Sequence, residues 1–185
     1  MSNLTRRHFV ITGASLPLLA ACSNGLNSRG SEQIDARVNA ATQFMYDEVP
    51  GSRDLAQSAR GMLVMPLITE AGFGFGGSYG RGALRINGAT VDYYSAVSGT
   101  FGLQIGAQQY AHTLFFMTDE ALQTFRTSPG WAVGGDVRYA VVDQGGTLGI
   151  DTNTLSDPVI AVIYGQAGLI VGATLDGTRY TRIIP

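Results

Sequence analysis

Lysine is absent from this chain: all 12 basic residues among the 185 are arginine. That absence removes the chemistries that need a side-chain amine, including Walker-type phosphate loops, Schiff-base enzymes and the kinase strand lysine. Histidine is nearly absent too, with His112 the only one beyond the first 22 residues, and Cys22 is the sole cysteine. Neither an internal disulfide nor a His/Cys metal set can be built from these residues, and no cofactor is expected. Charge is sparse, at 14% of residues, where about 25% is usual. The formal balance of −2 lacks the basic footprint that nucleic acid requires. Glycine, in contrast, is plentiful at 25 residues, about twice its average usage, without a collagen period or a low-complexity tract. A hydrophobic content of 45% is enough for one domain with a real core.

The first residues read as an export signal, to be kept out of fold reasoning. Thr5-Arg6-Arg7-His8-Phe9 matches the twin-arginine address for exporting folded proteins. The apolar run Phe9–Ala21 is too short to span a bilayer comfortably. It ends in Leu19-Ala20-Ala21-Cys22, which resembles the lipobox of bacterial lipoproteins: small residues before the cut, then a thiol free for acylation. Residues 1–21 are therefore read as the signal and Cys22 as the lipidated residue. Two or three acyl chains anchor stably where one is marginal. Losing Arg6 and Arg7 leaves ten arginines against the same 14 carboxylates, about −4. The expected location is the bacterial envelope, facing the periplasm. Ser23 after the cysteine resembles lipoproteins of the outer membrane.

Residues 22–33 are polar and glycine-bearing, a tether before a domain over 34–185. Ser31 is placed to cap a helix from Glu32 to Glu48. Its apolar face carries Ile34, Val38, Ala41 and Met45, with Phe44 beside them. Pro50-Gly51 stops it, and a short helical turn follows from Ser52. Met62–Ile68 is a buried-strand run in which Pro66 marks an edge or bulge. Thr118-Asp119-Glu120 opens a helix carrying Leu122 and Phe125, ended by Ser128-Pro129-Gly130.

The stretch that organises the rest is Ala71–Leu84, where glycine and aromatic residues alternate at the strand period. Phe73 and Phe75 share one face, and the glycines leave the other nearly bare. Glycine inside a strand marks a bulge, a bend or a close backbone approach. Similar segments recur at Ser98–Gln109, Gly130–Val137 and Gly168–Leu175, which implies one strongly curved sheet. Asn87-Gly88 is a two-residue hairpin signal. Phe101–Met117 reads as one long strand or two with a bend, followed by Trp131–Val142, a Gly145-Gly146 turn, Pro158–Tyr164 and a hairpin over Asp176-Gly177. The fold class is α+β: an N-terminal helix packed on a curved, barrel-like antiparallel sheet, with one further short helix.

Two motif matches fail on context. Gly72–Gly77 satisfies G-x-G-x-x-G, but more strand follows where a phosphate site needs a helix N-terminus. Gly76–Gly80 satisfies G-x-S-x-G around Ser78, with Asp92 and His112 following in hydrolase order, yet no strand-to-helix elbow is present. His112, in an apolar strand, reads as structural. The aromatic set (Phe73, Phe75, Tyr79, Tyr93, Tyr94, Phe101, Trp131) reads as core, with a binding surface as the alternative. Arg81 and Arg85 lie four apart on one strand face; they either pair with surface carboxylates or offer a small anion site.

Gly61-Met-Leu-Val-Met-Pro, the Ala71–Leu84 stretch, Tyr93-Tyr94, Gly99–Gln108, Phe115–Phe125 and Gly130-Trp-Ala-Val-Gly together resemble the SYLF domain, from about Ile34 to the C-terminus. The resemblance implies a non-enzymatic lipid-binding module, phosphoinositide-binding in eukaryotic members, some of which also bind actin. Its helix here carries only Arg37 against Glu32, Asp35, Asp47 and Glu48, which departs from phosphoinositide binders, and actin is not expected in a periplasm. What it implies here is binding of membrane phospholipid, with Phe73, Phe75, Tyr79, Arg81, Arg85 and Trp131 as candidate lipid-binding residues. The alternative is an envelope protein that binds another protein, with membrane contact only through Cys22.

Overall fold

The structure, a computed structural model, describes residues 29–133, 137–141, 157–168, 175 and 177–185, with backbone alone at 73–74, 100–105, 137–141 and 166–168. Arg6, Arg7, Cys22, the Gly145-Gly146 turn and Asp176 lie outside the described residues.

Helix α1 (Gly30–Glu48) starts two residues earlier than expected, capped at Arg29 without a side-chain bond, so Ser31 falls inside the first turn. Ile34, Val38, Thr42 and Met45 are buried along one stripe, the i, i+4 spacing expected of a helix lying on a sheet. Helix α2 (Ser52–Ser58) follows the left-handed Gly51, and the Ser52 hydroxyl donates back to the Met45 carbonyl at 3.1 Å. Helix α3 (Asp119–Thr127) is capped by the Thr118 side chain, which accepts from the Ala121 N–H, and buries Leu122 and Phe125.

The sheet is built on one long hairpin. Strand β1 (Gly61–Ile86) pairs antiparallel with β2 (Ala89–Phe116) along its whole length. Asn87 and Gly88 turn between them, both at positive φ, which is what a type I′ turn requires. Segments that the sequence separates at Pro66 and at the glycines are thus one strand, because a bulge between Met65 and Ile68 absorbs the proline's missing N–H. β5 (Val159–Gly168) adds to residues 108–116 of β2. β6 (Arg179–Ile183) adds to Tyr93–Val97. Two layers result, each containing half of β1 and half of β2.

The hairpin is folded over so that these halves face each other. A Cβ on Gly82 would lie 2.1 Å from the Val64 carbonyl oxygen, and one on Gly80 2.5 Å from that of Leu67. The two glycines therefore let the second half of β1 press onto the first, a backbone approach that any side chain would prevent. β3 (Trp131–Ala132) pairs with β6, whereas β4 (Val137–Val141) runs parallel to β5. The Trp131–Val142 segment, read as one strand, is thus two short strands in different layers, separated in sequence by Gly134-Gly135. Five residue steps reach at most about 18 Å, so the layers come together at this side as well.

Leu63, Met65, Leu114, Phe116, Ala161, Ile163 and Tyr180 fill the space between the layers together with Phe125 of α3. On the outer face of the first layer, Phe115, Ile160, Val162 and Tyr164 pack under Met45, Val49 and Leu55. α1 also covers the β1 fold, with Ile34 and Val38 on Val64 and Ala83. This is the α+β class expected, with a half-barrel sheet, antiparallel except for β4 on β5.

Candidate binding groove beside the first helix

Irregularities in the two strands that flank β2 coincide at one level of the first layer. β1 bulges at Pro66-Leu67, and β5 bulges between Tyr164 and Ala167, opposite Gln109–Ala111 of β2. Gly165 in β5 has φ +64, with the Phe44 ring 3.6 Å from where its Cβ would be. Bulges bend a strand and re-aim its side chains; these two, on either side of Tyr110 in β2, open the sheet away from α1. The result is a groove of about 570 Å³, within the ~300–1,000 Å³ of small-ligand sites. Its helix wall is Arg37, Ala40, Ala41 and Phe44. Its floor is Pro66, Leu67, Tyr110, Ala111 and Tyr164. Phe44 is 47% exposed and stacks on Tyr164 with ring centroids 6.3 Å apart. Burial pushes the Tyr164 phenol up to about 12, so the floor is uncharged at any ordinary pH.

A smaller hollow of about 160 Å³ adjoins it, lined by Ile34, Arg37, Thr69, Tyr79, Gly80 and Arg81 along with Pro66 and Leu67. Arg37, Pro66 and Leu67 belong to both, so the two are compartments of one groove with an apolar end and a cationic end. Among the described residues no Asp or Glu lines either compartment. Among the described residues neither Arg37 nor Arg81 makes an ion pair.

The six residues named from sequence separate. Tyr79 and Arg81 line the cationic end. Arg85 lies on the far flank of α1, donating to the Asn39 side chain. Beside it Asp35 accepts from the Thr90 hydroxyl and the Tyr93 phenol, both at 2.8 Å. Phe75 is 76% exposed at the fold of the hairpin, and Phe73 precedes it, paired with Ile105. Trp131 packs in the core against Phe125, Phe116 and Tyr180, with centroids 5.4–6.4 Å away. Arg37, Phe44, Leu67 and Tyr164 were not singled out as site residues, although Pro66 inside a strand and Phe44 beside the apolar stripe were the available signals.

The hydrolase-ordered residues are not assembled. The Ser78 hydroxyl is 2.7 Å from that of Ser98. His112 Nε2 is 2.7 Å from the Tyr180 phenol, and Asp92 is held by Arg126 and Arg182 at 3.4 Å each. Burial lowers the His112 pKa to about 3, leaving a neutral imidazole inside the barrel. Among the described residues no group of His, Cys, Asp or Glu could hold a metal ion, and no helix is long and apolar enough to cross a membrane.

No curated protein matches the chain. The family model described as Ysc84, Las17-binding protein actin regulator, matches residues 97–182. That stretch supplies the groove's floor at Gln109–Ala111 and Tyr164-Gly165, while α1 and β1 precede it. The similarity to SYLF domains read from the sequence agrees with this match: residues 97–182 are similar to the Ysc84-type (SYLF) domain, whose family is one of binding domains.

Proposed function

We propose that this protein is a non-enzymatic, lipid-anchored component of the bacterial envelope, held through Cys22 and facing the periplasm, whose SYLF domain binds phospholipid. The observation that carries the reading is the groove: an apolar trough with two arginines at one end and, among the described residues, no carboxylate in its lining. Apolar walls with a few convergent polar groups are what a lipid-sized ligand needs, and guanidinium groups suit phosphate oxygens. Binding that depended on arginine charge alone would be screened by salt, whereas burial of apolar surface would not.

The test is co-sedimentation of residues 23–185, which lack both the apolar signal run and the anchor, with zwitterionic and anionic vesicles at low and high salt. Preferential binding to anionic vesicles that persists in part at high salt is expected. Failure to bind any vesicle would overturn the lipid reading in favour of a protein partner. That second reading has its own support in the open hollow where Val91, Ile183 and Ile184 sit beside the Asp92–Arg182 ion pair, and in a family description that names a protein partner. Actin itself is not expected.

A further inference from the structure

An amphipathic helix that binds membranes lays its apolar face into the bilayer. That mode is closed to α1, because Ile34, Val38 and Met45 are fully engaged with the sheet. What α1 offers instead is concave: Ala40, Ala41 and Phe44 form the wall of a trough floored by Leu67 and Tyr164. A concave surface takes a ligand out of the bilayer, where a convex one would insert into it. Arg37 and Phe44 stand seven residues apart, about 10 Å of helix, so the apolar end has the length of part of one chain. At the other end Arg37 and Arg81 face the smaller compartment without ion pairs among the described residues. This is complementary to one compact anion.

We infer that the groove holds a single acyl chain of a lipid phosphate, with the chain between Phe44, Leu67 and Tyr164 and the phosphate between Arg37 and Arg81. The inference rests on the lipid-binding reading and narrows it from a membrane surface to a monomeric, one-chain anionic lipid. Tyr79, 53% exposed at the cationic end, is placed to add a phenol donor to the head.

Calorimetric titration of residues 23–185 with a monoacylglycerol phosphate below its micelle concentration tests this. One-to-one binding is expected, weakened at least tenfold by Arg37→Gln with Arg81→Gln. It is expected to weaken at least tenfold again by Ala40→Trp, which fills the trough from an exposed helix position. A matching neutral monoacylglycerol should bind at least tenfold more weakly, and inorganic phosphate should not bind measurably. Unchanged thermal melts establish that the variants fold. Equal affinity for inorganic phosphate, or undiminished binding by the folded Ala40→Trp protein, would overturn the inference. So would vesicle binding without monomer binding, which leaves the broader lipid reading standing; loss of both ends both.

Discussion

Replacing Gly82 by alanine should damage this protein far more than the same change at Gly99, although both glycines lie in the long hairpin. At Gly82 the new methyl group would sit 2.1 Å from the Val64 carbonyl oxygen and 2.6 Å from the Met65 sulfur. The sulfur ends a flexible side chain and can give way. The carbonyl belongs to a ladder bonded across to β2, Val64 opposite Thr113, and cannot. Overpacking of this kind typically costs about 1–3 kcal/mol, and a backbone obstacle puts Gly82→Ala at about 3 kcal/mol. Nothing lies within 4 Å of a Cβ at Gly99. There alanine restricts the unfolded chain and should be neutral or stabilising by up to about 1 kcal/mol. With a urea slope of about 1–3 kcal/mol/M, the Gly82 variant should unfold at least about 1 M earlier than wild type, and the Gly99 variant no earlier. Equal midpoints for Gly82→Ala and wild type would show that the two halves of β1 are not pressed together, and the folded-hairpin description would fail.

Three further outcomes are expected. His112 has a folded pKa of about 3 against about 6.5 when unfolded. The unfolded chain therefore binds a proton that the folded chain refuses, and stability present above about pH 6.5 is lost as pH falls, at about 1.4 kcal/mol per unit. Denaturant midpoints at pH 7 and pH 5 should differ accordingly, and a pH-independent His112→Gln variant would assign the effect; carboxylate titration alone would leave that variant as sensitive as wild type. Tyr180→Phe removes the partner of His112 Nε2 and should cost about 1–3 kcal/mol as an unmet buried polar group, read by urea unfolding at neutral pH. Thr118→Ala deletes the α3 cap and should cost about 1 kcal/mol in the same assay.

Much of the fold was legible because its signals are local. Asn87-Gly88 specifies its turn through two positive φ values, and Thr118 caps its helix through one side-chain bond. The period-two alternation of Ala71–Leu84 made the strand readable, and its glycines announced a close approach. What the glycines touch was not readable, since Val64 and Leu67 become neighbours of Gly82 and Gly80 only after the hairpin folds over. The division of Trp131–Val142 between two layers is equally non-local. It depends on β6 and β5 joining different halves of β2. The site was half legible: Tyr79 and Arg81 face the groove, but the trough itself arises where bulges of β1 and β5 align across β2. No single stretch of sequence encodes that coincidence. Trp131 shows the limit from the other side, because an aromatic residue in a glycine-rich segment reads the same whether it lines a site or, as here, fills a core.

Groove occupancy is tested most directly by photo-crosslinking from a lipid phosphate that carries a diazirine on its acyl chain, with labelled residues mapped by peptide mass spectrometry. Labels on Ala40–Phe44, Leu67 and Tyr164-Gly165, reduced in Ala40→Trp, are expected. Labels confined to Phe75 or to the Val91–Ile184 hollow, with the trough unmarked, would contradict the groove as the lipid site.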